Sequence, residues 1–223
     1  MFSGTLSQVR YSDAEEGMMD LKEVLRQMES SFGGRWYRLE FSYGGMPKGG
    51  THLEGVRFCE AVTRASLVPV VLTAESLSCD AARYAFGWNH DVRGAMEARL
   101  EEQAGFPHRY AVEAIGDLPT LDGGLRAIGI NTEGEPQVFM AYLQPQQVMK
   151  LLRRYEALFC ERPRVELSSI AALCSNVAVR AFRDAKLTLS FGCEESRRHG
   201  GIPRDRVIVG LPVEVAKRLL EGS

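Results

Sequence analysis

The chain has no long apolar run. Its longest, residues 67–72, is broken by Pro69, whereas about 20 apolar residues are needed to span a bilayer. Residues 1–13 mix Ser, Thr, Gln and Arg and lack the apolar stretch of roughly 7–15 residues that a secretory signal requires, so a cytoplasmic location is expected. Neither sign of charge dominates: 27 Lys and Arg stand against 29 Asp and Glu, a net charge of −2. That balance excludes the strongly basic footprint of a dedicated nucleic-acid binder or polybasic membrane binder, despite a local cluster at Arg153, Arg154, Arg162 and Arg164. There is no G-x-x-x-x-G-K-[ST] phosphate loop, no G-x-G-x-x-G and no H-E-x-x-H among the four histidines, which closes the nucleotide-motor and dinucleotide-enzyme readings. No two cysteines have C-x-x-C spacing and their number, five, is odd. Neither a secreted disulfide framework nor a local zinc motif is therefore indicated.

What is present describes a globular chain. Its 223 residues, 45% hydrophobic and 25% charged, suffice to bury a core without staples. Residues 1–19 read as a leader, and residues 20–223 as a single domain. Leu21, Val24, Leu25 and Met28 recur at helical spacing until Gly33-Gly34. Residues 36–41 read as a strand, and the four glycines and proline of residues 43–51 as a long connection of the kind where ligands enter. A helix over 56–66, a buried strand over 68–73, and helices over 79–87 and 91–103 follow. Residues 125–130 and 137–143 have β character, and the six residues between them predict a hairpin. Pro145 opens a helix ended by Pro163, and Ser168 or Ser169 caps one running to about residue 184. Two further strands, over 187–191 and 207–211, precede a last helix. Strands and helices do not alternate strictly, which predicts an α+β fold: a mixed sheet with a central hairpin, flanked by helices.

The cysteines carry the chemistry. Cys59, Cys79, Cys160, Cys174 and Cys193 are spread through the chain and in a reducing compartment are free thiols: ligands, nucleophiles or core filler. Cys79 falls at a helix start, where unpaired N–H groups favour a thiolate, and Cys193 lies near Arg197, Arg198 and His199. Cys174 sits on the apolar stripe of its helix, as core filler would. Arg83, Arg197 and Arg198, with the glycine-rich stretch 43–51, are candidate recognition groups for a small anion. The alternative for the Arg197 segment is a solvated turn.

Two blocks of residues resemble a known family. The first is Arg57-Phe58-Cys59-Glu60-Ala61-Val62, then Val70-Val71-Leu72-Thr73, then Leu77-Ser78-Cys79 with Ala82-Arg83-Tyr84-Ala85-Phe86-Gly87. The second is Ser169-Ile170-Ala171-Ala172-Leu173-Cys174, then Leu189-Ser190-Phe191-Gly192-Cys193 with Ser196-Arg197, then Val209-Gly210-Leu211-Pro212. Their order and spacing resemble the domain of unknown function 169 family, common in archaea and anaerobic bacteria, from about residue 20 to 221. One departure is Asp80-Ala81 after Cys79, where family members often have Pro-Gly. The resemblance implies no reaction, but it selects Cys59, Cys79, Cys174 and Cys193 as motif cysteines and leaves Cys160 as an extra.

Four is the number of thiolates that a tetrathiolate iron–sulfur cluster or zinc site requires. Three functions are therefore carried forward. In the first, the four cysteines ligate a cluster or metal used in redox chemistry with a small-molecule or redox partner. In the second, the protein is a non-catalytic module for a small anionic ligand. In the third, Cys79 or Cys193 is a nucleophile.

Overall fold

The computed structural model describes residues 20–165 and 169–221. The expected leader, residues 1–19, and the candidate cap Ser168 lie outside the described residues.

The elements follow in chain order: α1 (Leu21–Phe32), β1 (Trp36–Ser42), β2 (Thr51–His52), α2 (Phe58–Arg64), β3 (Val70–Leu72), α3 (Asp80–Ala85), α4 (Arg93–Ala104), α5 (His108–Gly116), β4 (Ala127–Ile130), β5 (Val138–Leu143) and α6 (Pro145–Phe159). Then come β6 (Arg164–Val165), a π-helix (Cys174–Val179), α7 (Arg180–Asp184), β7 (Thr188–Ser190), α8 (Glu194–Gly200), β8 (Val207–Pro212) and α9 (Val213–Glu221). Local chemistry explains many of these boundaries. The Asp20 carboxylate accepts from the N–H of Lys22 to open α1, and Gly33, at φ 74°, closes it. Between them Val24, Met28 and Phe32 repeat every four residues on one buried face. Gln144 and Gln147 form a reciprocal capping box at the start of α6, with Pro145 in the first turn.

The eight strands form one mixed sheet in the order β2-β3-β4-β1-β5-β8-β7-β6, so the fold is α+β as expected. Side chains alternate across it. Tyr37, Leu39 and Phe41 of β1 point into a core shared with α2, α3, α4, α5, the π-helix and α7. Trp36 points the other way, joining Phe139, Ala141 and Leu143 in a second core beneath α1, α6 and α9. The sheet is thus covered by helices on both faces. Among the described residues no helix is long and apolar enough to cross a membrane.

The expected central hairpin is not formed. β4 and β5 both pair antiparallel with β1, on opposite edges: Leu39 is opposite Ile130 on one side and Val138 on the other. The connection therefore steps across β1 rather than turning back beside β4. Asn131, at φ 59°, anchors the step. Its Oδ1 accepts from the N–H of Arg38, and its Nδ2 donates to the carbonyl of Ala65, both at 2.9 Å. The Thr132 hydroxyl donates to the Glu40 carboxylate (2.8 Å), and the Gln137 side chain accepts from the N–H of Phe41 (2.6 Å). Alternating apolar residues identify strands, but a partner strand 90 residues away in sequence leaves no trace in that alternation.

Three further differences concern helices. α5 has no counterpart in the sequence reading, because only Ala111 and Ile115 of its nine residues are buried. The segment Arg197-Arg198-His199, read as a turn or an anion site, lies within α8. The helix expected from residue 168 or 169 begins only at Cys174, as a π-helix in which Ala178 N–H bonds Leu173 O.

Asn131 yields a test of the step across β1. Asn131→Ala removes both side-chain hydrogen bonds and places a Cβ-bearing, non-bonding residue at positive φ, for an expected loss of roughly 2–4 kcal/mol. Asn131→Gly removes the same bonds but relieves the backbone, and its urea midpoint should lie between those of the wild type and Asn131→Ala.

Candidate functional site: a four-thiol cavity

Four elements on the first face of the sheet each present one cysteine near an N-terminal end. Cys59 is the second residue of α2, Cys79 immediately precedes α3, Cys174 begins the π-helix, and Cys193 immediately precedes α8. All four line one cavity of about 540 Å³. The opposite wall is apolar and comes mainly from α4 and α5: Met96, Leu100, Phe106 and Ile115. Cys160 is elsewhere, exposed at the C-terminal end of α6 with φ 52°.

The thiols are held by short-range packing. The Cys193 sulfur accepts from the N–H of Ser196 at 3.4 Å, and the Ser196 hydroxyl donates to Cys193 O at 2.8 Å. Cys59 Sγ lies 3.9 Å from Glu195 O, and Cys174 Sγ lies 3.7 Å from Ala171 O. Helices α2 and α8 meet where a Cβ on Gly200 would come within 3.0 Å of the Cys59 Cβ. The Thr63 hydroxyl donates to Gly200 O at the same contact. The glycine makes this approach a close one, which holds Cys59 against α8 between Glu195 O and Gly200.

Burial governs the ionisation of these thiols. It pushes the Cys59 thiol up from the ordinary 9.0 to about 12, with the neighbouring Cys79 and Cys193 adding to the shift. Cys174 is raised well above the usual range, first by burial and then by the other three thiols. Cys79 is also raised by burial, against the opposing pull of the Ala82 N–H and of Arg57. Backbone N–H groups at the start of α3 thus favour the Cys79 thiolate, as expected, but desolvation outweighs them. Without a bound cation the buried thiols are protonated at neutral pH, which argues against an activated nucleophile at Cys79.

The three expected anion-binding arginines do not line the cavity. Arg197 is part of the scaffold: its guanidinium donates to the carbonyls of Phe191, Ile202, Pro203 and Arg206, tying together the loops on either side of α8. Arg198 pairs with Glu194 along the surface of α8 at 2.7 Å. Arg83 lies in α3, with its Nε buried and without a hydrogen-bond partner. The glycine-rich stretch 43–51 packs instead on the step across β1, where Glu133 N–H donates to Lys48 O at 3.0 Å.

The family model described as uncharacterised ArCR, domain of unknown function 169, matches residues 20–222. The chain belongs to this family. No curated protein and no solved structure matches it. In this member of the domain of unknown function 169 family, the two sequence blocks that carried the resemblance fold against each other, and the motif cysteines of both face one cavity. Sequence reasoning quotes Ser196 only as part of a family block and leaves out Gly200, whose contact with α2 no local pattern shows, and the apolar wall, which depends on α5.

Among the described residues no group of three or more His, Cys, Asp or Glu side chains is arranged to hold a metal ion. The donor set, four thiols, remains that of soft metals.

Two outcomes test this description. In the metal-free, reduced protein an alkylating reagent should modify Cys160 first and Cys59 and Cys174 last, as followed by peptide mass spectrometry. The second is a pH dependence. Folding raises the Cys59 pKa, so the unfolded chain ionises first; the stability linked to this thiol is intact below about pH 9 and is lost as pH rises toward about 12. The melting temperature of the wild type should fall over that range, and Cys59→Ala should fall less steeply.

Proposed function

We propose that Cys59, Cys79, Cys174 and Cys193 hold a polynuclear iron–sulfur cluster and that the protein is a redox protein. The observation that carries this reading is that these four thiols, and not Cys160, surround one cavity although they come from four separate elements. A nuclear count above one is favoured by the arrangement. Around a single zinc ion, sulfurs at 2.3 Å from the metal stand only about 3.8 Å apart, whereas a four-iron cluster gives each thiolate its own iron and accepts a wider set.

The chain's own residues supply the surroundings. Burial disfavours bare thiolates at Cys59, Cys79 and Cys174, so these sulfurs lose their protons as iron takes their place, and loading releases protons. The Ser196 N–H donating to the Cys193 sulfur and Arg57, whose positive charge favours the Cys79 and Cys59 thiolates, stabilise negative charge on the ligands. Such contacts also tune cluster potentials. Cys59, Cys79, Cys174 and Cys193 would hold the cluster, and one-electron transfer between a reduced carrier and an oxidised acceptor is the chemistry it would supply when bound.

Anaerobic reconstitution with ferrous iron, sulfide and thiol reductant tests the proposal. The desalted wild type should retain about four irons and four sulfides per chain, with broad visible absorption and a paramagnetic signal after one-electron reduction. Cys160→Ser should load like the wild type, while Cys59→Ser and Cys174→Ser should lose most of the iron, with folding checked by circular dichroism. Wild-type protein without bound sulfide, or cysteine variants that load fully, would overturn the reading.

A further inference from the structure

The cavity has two chemically different walls, and four thiols account for only one. The other consists of Met96 and Leu100 from α4, Phe106 from the connection, and Ile115 from α5. Met96 is 6% and Ile115 0% exposed, while the outer surface of the same helices is charged. α4 and α5 form a hairpin whose two feet meet: Leu121 N–H donates to Ala85 O at 2.8 Å, and a Cβ on Gly87 would lie 2.4 Å from Leu121 O. The hairpin thus stands on a fixed base and turns an apolar surface toward the sulfurs.

We infer that the space between this apolar wall and the thiols is a binding site for a small, uncharged, mainly apolar molecule. The cavity's roughly 540 Å³ lies within the range of about 300–1,000 Å³ typical of small-molecule sites. The charges at its edge argue against an ionic ligand. Arg57 pairs with Glu195 at 2.5 Å, Arg99 with Asp80 at 3.6 Å, and Glu194 with Arg198 at 2.7 Å. A charged ligand would have to displace one of these pairs, whereas an apolar one gains contact with the hairpin wall. Gln103 and Ser169, both exposed, lie at the rim and offer polar contacts to one end of the ligand. This inference rests on the cluster reading only for which wall the cluster occupies.

The test uses the full chain and the neutral fluorescent probe N-phenyl-1-naphthylamine, titrated both into metal-free protein and into reconstituted protein. Saturable binding of one probe per chain is expected in both. Leu100→Trp fills the wall and Gln103→Trp, at an exposed position, blocks the mouth; each should weaken binding about tenfold or more. Leu67→Gln, which removes an 86% exposed leucine remote from the cavity lining, should bind like the wild type. Because Gln103 is exposed, that variant keeps the test decisive if Leu100→Trp does not fold. Absence of saturable binding to the wild type, wild-type affinity in Gln103→Trp, or loss of binding in Leu67→Gln would overturn the inference. Binding without iron uptake would sink the cluster reading alone, and iron uptake without binding would sink this one alone.

Discussion

β1 is hydrogen-bonded along both edges, to β4 and to β5, and the rest of the molecule is arranged around that constraint. A strand paired on both sides has no freedom to rotate about its axis, so its alternating side chains are committed to two faces. Tyr37, Leu39 and Phe41 fix one core and Trp36 the other. Each face then needs a helical cover, because an uncovered sheet face would leave its apolar side chains in water. Every motif cysteine is carried on, or at the start of, a helical element of one cover, the one above Tyr37, Leu39 and Phe41. Cys160 belongs to the other cover and is separated from the motif cysteines by the full thickness of the sheet.

The thiol side of the molecule shows how packing and chemistry constrain each other. A buried thiol is tolerated because, protonated, it behaves as a small apolar group with only a weak need for a partner. A buried aspartate in the same place would carry a far larger penalty. Four thiols therefore gather under a protein surface at little cost to the fold, and the positions of their sulfurs are set by contacts that involve backbone rather than long side chains. Ser196 N–H, Glu195 O and Ala171 O are the neighbours of three of them. Backbone neighbours are insensitive to most substitutions, so the geometry of the site depends on the placement of helices, and especially on the close contact at Gly200.

Much of this was legible in the sequence, and what was not has physical causes. Amphipathic spacing located α1 and α6, since Val24, Met28, Val148 and Leu151 are buried as their periodicity requires. It could not locate α5, whose buried side amounts to two residues, Ala111 and Ile115. Residues 127–130 and 138–143 were recognisable as strands, but pairing is a property of three-dimensional neighbours, and β1 intervenes between them. The cysteines were separated into four and one by their resemblance to a family pattern and not by spacing, which spans more than 130 residues from Cys59 to Cys193. Arg197 illustrates the opposite error. A cation beside Arg198 and His199 resembles an anion site, yet its two terminal nitrogens donate to four main-chain carbonyls, which no local pattern reveals.

The chain returns on itself between Ala85 and Leu121. A main-chain hydrogen bond closes the excursion of residues 86–120, so its two ends are neighbours, the arrangement in which added or exchanged segments disturb a fold least. The residues near its ends are not interchangeable, because Phe86, Ile115 and Leu118 belong to the core beneath Tyr37, Leu39 and Phe41. Changes of length or sequence at the outer turn between α4 and α5 are therefore the ones that the sulfur-bearing elements should tolerate best.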